Sequence, residues 1–152
     1  MLFFRGLHYV NLDQKGRLAI PKRLRETVAQ AGCKTLVATI DLQSPCLLLY
    51  PFEEWKLIEQ KIMSLPNLDP TARRYQRLFV GFAHELDMDG QGRILLPAVL
   101  RQHIDLERQG VLLGQGNKME LWSEAQWDQT CPAMLEEAKD EPVPEALANL
   151  SI

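Results

Sequence analysis

A ten-residue stretch occurs twice in this chain, and that duplication constrains the fold more than any other feature. Leu12-Asp13-Gln14-Lys15-Gly16-Arg17-Leu18-Ala19-Ile20-Pro21 returns as Met88-Asp89-Gly90-Gln91-Gly92-Arg93-Ile94-Leu95-Leu96-Pro97, an offset of 76 residues. At the same offset Leu24 and Arg25 fall on Leu100 and Arg101, and His8 falls on His84. Further along, Leu49-Tyr50 with Trp55 corresponds to Leu121-Trp122 with Trp127 at an offset of 72, so one connecting loop has changed length. Each module runs about fifty residues, and a unit that small buries too little surface to stand alone, so the two copies are expected to share one core as an intrachain pseudo-dimer.

Within the first module, Leu7 to Leu12 reads as a strand, Asp13 to Gly16 as a turn and Arg17 to Ile20 as a short returning strand. Pro21 opens a helix with Leu24, Val28 and Ala31 on one face, and Gly32 ends it. Two further strands, Thr35 to Ile40 and Cys46 to Tyr50, match Val111 to Gln115 and Lys118 to Trp122 in the second module, where Gly116-Asn117 is a tight-hairpin signal. A helix from Pro51 aligns Trp55, Ile58, Ile62 and Leu65, and Asp69-Pro70 starts another that carries Arg73, Arg74 and Arg77. The expected divisions are a first module over 7–54, a helical connector over 55–82, a second module over 83–126, and a last helix with an acidic tail over 127–152. The fold class expected is α+β, rich in β, with a barrel-like body.

Asp13-x-x-x-Arg17 spans a turn at a hairpin tip, where Gly16 is expected to supply a positive φ. A two-stranded ribbon fits the major groove of DNA, and an arginine there can bond guanine O6 and N7 together. Arg17 is the candidate base reader. Asp13 is expected to accept bonds from turn amides or to brace an arginine, while Lys15, Arg5 and Lys22 are candidate phosphate contacts. The second module keeps Asp89, Gly92 and Arg93 but has Gln91, Ala98 and Val99 where the first has Lys15, Lys22 and Arg23. Module one is therefore expected to dominate DNA contact, with Arg93 adding a weaker one.

The formal charge of -3 conceals an uneven distribution. Residues 1–34 hold seven bases against two acids, whereas the stretch after Cys131 holds five acids against Lys139 alone. Apolar residues at 46% and charged residues at 24% describe a chain that folds. No apolar run is long enough to span a bilayer and the start lacks a signal-peptide pattern, so a cytoplasmic, nucleoid-associated protein without membrane contact is expected. Cys33, Cys46 and Cys131 show no Cys-x-x-Cys pairing and are read as small core residues; His8, His84 and His103 lack metal-ligand spacing. No catalytic constellation, cofactor loop or small-molecule pocket can be read, which argues against an enzyme.

The doubled motif, the opening Phe4-Arg5-Gly6 and the run Leu47-Leu48-Leu49-Tyr50-Pro51 resemble the MraZ family, the two-module member of the SpoVT-AbrB superfamily. The resemblance covers essentially the whole chain. It implies a double swapped-hairpin barrel with flanking helices, ring-shaped homo-oligomers, and a repressor that binds short direct repeats in double-stranded DNA upstream of the division and cell-wall gene cluster, including its own gene. The family's DNA-contacting arginine falls on Arg17, with Lys15 and Asp13 beside it. Two other functions fit less well: a toxin-binding antidote, which needs a longer disordered segment than the roughly twenty residues after Cys131, and a ring-forming scaffold that does not touch DNA.

Overall fold

A computed structural model of the chain describes residues 3–150. The described residues form eight strands and six α-helices, and the strands with α1 and α4 follow the duplication. Module one contributes β1 (Leu7–Asn11), β2 (Arg17–Ala19), α1 (Lys22–Gln30), β3 (Thr35–Ile40) and β4 (Leu47–Pro51). Module two contributes β5 (His84–Asp87), β6 (Arg93–Leu95), α4 (Ala98–His103), β7 (Gln109–Gln115) and β8 (Lys118–Ser123). Between them lie α2 (Phe52–Met63), α3 (Pro70–Arg74) and a π-helical segment, Tyr75–Val80; α5 (Glu124–Asp140) and α6 (Glu145–Ala148) follow.

The strand pairings interlock the two modules. β1 of module one pairs antiparallel with β7 of module two, and β5 of module two pairs antiparallel with β3 of module one. β4 and β8 join the halves at the centre, giving the order β1-β7-β8-β4-β3-β5. At the centre β4 reads as a continuous apolar run because both of its faces are covered, and it is buried throughout, whereas its neighbour β8 interrupts its apolar residues with the partly buried Lys118 and Glu120. The edges alternate: along β1 only Val10 is fully buried.

Two expectations need correction. No barrel forms: the six-stranded sheet is open, with β1 and β5 as its unpaired edges, and β2 and β6 make a separate two-stranded sheet. Nor is the exposed ribbon the hairpin of β1 and β2, since beyond the turn these strands meet only at the Leu12–Leu18 bridge, while β2 pairs with β6 from the other module. The physical reason is length. The turn ends at Gly16, and Pro21, like Pro97, introduces a helix and has no amide to donate, so each returning strand is three residues long and cannot extend the main sheet.

A large core lies between one face of the sheet and the ribbon with its helices, and includes Leu18, Ile20, Leu24, Ile94, Leu96 and Leu100. Leu18 and Ile94 face each other across β2 and β6 and are wholly buried, each contributing roughly 2 kcal/mol by removal from water. A second core on the opposite face gathers Val37, Tyr50, Trp55, Phe79, Val111 and Trp122, with Ile58, Ile62 and Trp127 packed against it. Leu65, expected on that helical face, is exposed beyond the end of α2. Of the cysteines Cys46 alone is in the core; Cys33 and Cys131 are half-buried. The helix α5 runs to Asp140 through Pro132, so it is not the last, and the acidic tail contains the short α6. Among the described residues no helix is long and apolar enough to cross a membrane.

Candidate nucleic-acid interface

The turn before β2 is held by one carboxylate. Asp13 Oδ1 accepts from the amides of Lys15 and Arg17, each at 2.9 Å, and Oδ2 accepts from Arg17 Nε at 2.7 Å. The Asp13 amide donates to the Arg17 carbonyl and the Gly16 amide to the Asp13 carbonyl, closing the loop at φ +85° on Gly16. Backbone hydrogen bonds from Arg17 are the main reason the Asp13 carboxyl titrates below its ordinary value; partial desolvation opposes them, and the guanidinium adds to them. An acid at this position is therefore ionised at neutral pH and committed to the turn.

The second turn repeats this bonding. Asp89 Oδ1 accepts from Gln91 and Arg93 at 2.9 Å each, Oδ2 accepts from Arg93 Nε at 2.8 Å, and Gly92 has φ +74°. The Asp89 carboxyl is likewise lowered, chiefly by the Arg93 amide. In both turns the aspartate occupies Nε. Among the described residues no acceptor engages the terminal Nη groups of Arg17 or Arg93, which leaves four N–H donors on each guanidinium free to point outward.

β2 and β6 bring these arginines together. Arg17 is opposite Leu95 and Ala19 is opposite Arg93, so the outward face carries four side chains in two rungs, backed by buried Leu18 and Ile94. The arginines are diagonal neighbours, roughly 7–8 Å apart along the ribbon. The ribbon's flanking bonds also cross between modules: Ile20 donates to the Gly92 carbonyl and Leu96 to the Gly16 carbonyl, both at 3.0 Å.

Of the other predicted contacts, Lys15 is exposed on the first turn and Lys22 is exposed at the start of α1, immediately beyond β2. Arg5 is exposed but lies away from the first turn. It precedes β1 whereas the turn follows it, so the strand, roughly 15 Å long, separates the two, and Arg5 instead lines a groove with Arg23, Glu26 and Gln30.

Sequence reasoning matched Arg25 to Arg101 at the repeat offset without giving either a role. The structure gives them one: each reaches the other module's turn. Arg25 Nη1 donates to the Gln91 carbonyl at 3.2 Å and its side chain crosses Gly92, where a Cβ would lie 2.3 Å from Arg25 Cδ. Arg101 Nε donates to the Leu96 carbonyl at 3.1 Å, and a Cβ on Gly16 would lie 3.0 Å from its Cζ. The glycines thus admit a guanidinium as well as the turn conformation. The signal was present in the sequence, since both the arginines and the glycines coincide at the repeat offset.

Away from the ribbon, Asp41, Cys46 and Glu120 place their side-chain heteroatoms within 4.8 Å of one another, a grouping that sequence spacing did not reveal. Cys46 donates to Asp41 and Glu120 accepts from Trp122 Nε1 at 3.0 Å. Burial, reinforced by Glu120 and Asp41, pushes the Cys46 thiol far up, so it is protonated at neutral pH.

The fold and the interface define a fused pair of β-rich modules that exchange strands and present two aspartate-braced arginines on a shared ribbon. Proteins of known relationship place that description. The family model described as "MraZ protein, putative antitoxin-like" matches the chain twice, over residues 3–78 and 79–149. A transcriptional regulator MraZ from Hydrogenovibrio crunogenus is 59% identical over 152 residues, all of both chains. Its namesakes from Yersinia pseudotuberculosis and Alkalilimnicola ehrlichii are 48% and 45% identical, each covering 98% of this chain and 99% of the relative. The chain belongs to the MraZ family.

Proposed function

We propose that this protein is a sequence-specific DNA-binding transcriptional regulator, not an enzyme, and that it reads double-stranded DNA with the outward face of the β2/β6 ribbon. The observation that carries the reading is the pair of arginines whose Nε groups are held by aspartates while their Nη edges stay free. A braced guanidinium gives up little conformational freedom when it binds, and a bidentate contact to guanine is worth about 1–3 kcal/mol of discrimination. A separation of roughly 7–8 Å corresponds to about two base-pair steps at ~3.4 Å each, so Arg17 and Arg93 reach bases in one groove segment.

Lys15 and Lys22 lie on the module-one side of the ribbon and supply phosphate contacts, which position the protein without reading sequence. In this reading Arg17 is the principal reader and Arg93 an auxiliary one, Asp13, Gly16, Asp89 and Gly92 maintain the two turns, and Arg5 makes a peripheral phosphate contact at most. Membership of the family supports action as a repressor of the division and cell-wall gene cluster, including the protein's own gene, through direct repeats. Ring-shaped homo-oligomers fit the small size of one ribbon: several weak contacts on linked subunits gain through effective concentration.

The test is a mobility-shift titration at two salt concentrations, using duplexes from upstream of the protein's own gene with one repeat or with several. Tight, salt-sensitive binding that rises steeply with repeat number and is lost in Arg17→Ala is the expected result. Binding that is indifferent to Arg17, or equal for one repeat and many, overturns the reading.

A further inference from the structure

The outward face of the ribbon has two like corners and two unlike ones. Its arginines are symmetric, but the residue across from Arg17 is Leu95 and the residue across from Arg93 is Ala19. Leu95 is 57% exposed, on a face it shares with Arg17, Arg93 and the short Ala19, while the residues on either side of it, Ile94 and Leu96, are buried. A lone exposed leucine is ordinary on a protein surface. This one shares a rung with the candidate guanine reader, and directly opposed side chains on antiparallel strands have Cβ atoms about 4.5–5.5 Å apart.

Resting on the DNA-reading role of the ribbon, we propose that Leu95 is a specificity-determining residue that packs on the C5-methyl group of a thymine beside the guanine read by Arg17. In the major groove that methyl is the only apolar group a base pair presents, and aliphatic side chains recognise it by contact. The polar edges of the other bases give Leu95 nothing to bond and would be desolvated against it. Ala19 is too short to make the equivalent contact beside Arg93. The two ends of the ribbon therefore read unequal sequence: guanine with neighbouring thymine at the Arg17 end, guanine alone at the Arg93 end. This asymmetry lets a pseudo-symmetric ribbon bind repeats in one orientation, as direct repeats require.

The experiment uses the full-length chain and a duplex it selects from a random-sequence pool, in which each thymine is replaced singly by deoxyuridine to remove the methyl. Burying one methyl contributes about 0.8 kcal/mol, so one replacement within a base pair or two of an essential guanine is expected to weaken binding about fourfold. Leu95→Ala is expected to bind the thymine duplex about fourfold more weakly and to lose all preference over deoxyuridine at that position. Its exposure means its melting temperature should match that of the unmodified chain. If no thymine is sensitive, or if Leu95→Ala keeps the full preference, the methyl contact is overturned. Arg17→Ala is run in parallel: loss of binding there alongside deoxyuridine indifference removes only the role of Leu95, whereas intact binding removes the ribbon reading itself.

Discussion

Around Arg17 and around Arg93 the chain makes the same five hydrogen bonds at nearly the same lengths, yet the side chains surrounding the two turns differ in kind. The first turn has Lys15 at its tip and Lys22 and Arg23 at the start of the following helix. The second has Gln91, Ala98 and Val99 in those positions, with Leu95 on its strand. The local bonding depends on an aspartate, a glycine and an arginine, and those are duplicated without change. The neighbourhood is free to vary because no turn bond depends on it. The comparison separates what builds a reading head from what makes one head stronger than the other: geometry is shared, and charge is not.

The largest effect that would break this comparison is in DNA affinity. Loss of Arg17 removes a base contact from the cationic end and is expected to lower specific affinity at least tenfold per subunit, more where several subunits engage together; loss of Arg93 should cost several-fold less. Titrations of Arg17→Ala and Arg93→Ala on one duplex measure the ratio, and equal losses would show that the surrounding charge does not set the ranking.

Next is stability. Alanine at either turn glycine is strained by the positive φ, at a cost of about 1 kcal/mol or more. At Gly92 the new Cβ also meets Arg25 at 2.3 Å in mid-side-chain, against 3.0 Å from the tip of Arg101 at Gly16. Gly92→Ala should therefore lower the melting temperature more than Gly16→Ala, by several degrees in a thermal scan. The reverse order would mean that Arg25 yields more readily than Arg101.

Smaller still is the salt response. Each lost phosphate contact reduces the slope of log affinity against log salt by about 0.9. Lys15→Gln should flatten the slope by about that amount, and Gln91→Lys should steepen it. No change from Gln91→Lys would show that the second turn stands clear of the backbone.

The smallest expected effect is on pH dependence, where the two turns should agree. Both aspartates titrate below the ordinary value of 3.8, so their contribution is complete above that value and is lost as pH falls through the lower folded value. Melting temperatures recorded from pH 6 to pH 2 should show equal flattening of the acid limb in Asp13→Asn and Asp89→Asn. Unequal flattening would mean that the turns are not equivalent.

Much of this was legible in the residues. The duplication implied pseudo-symmetry, Gly16 implied a left-handed turn, and Cys46 to Tyr50 read as a strand, which the structure places at Leu47–Pro51. The pairing of β2 was not legible, because a three-residue strand carries one buried side chain, Leu18, and one residue cannot specify a partner or a register. The expectation of a closed barrel failed for a related reason: closure depends on how edge strands meet, and alternation along β1 records which side is covered but not whether its edge is paired. Tyr75 to Val80 has ordinary helical spacing, so its π-helical widening was also invisible. Arg25 and Arg101 were recognisable as equivalent but not as arms reaching the opposite module, since long-range contacts leave no periodic trace.

The central claim is that the free Nη edge of Arg17 meets a guanine. Replacing guanines one at a time by 7-deazaguanine in a bound duplex removes the N7 acceptor and nothing else from that edge. The chain is expected to lose affinity at one guanine per repeat, and Arg17→Ala, already weakened, should be indifferent to that same replacement. An Arg17→Ala protein that still distinguishes that guanine, or that binds as tightly as the unmodified chain, would contradict the account.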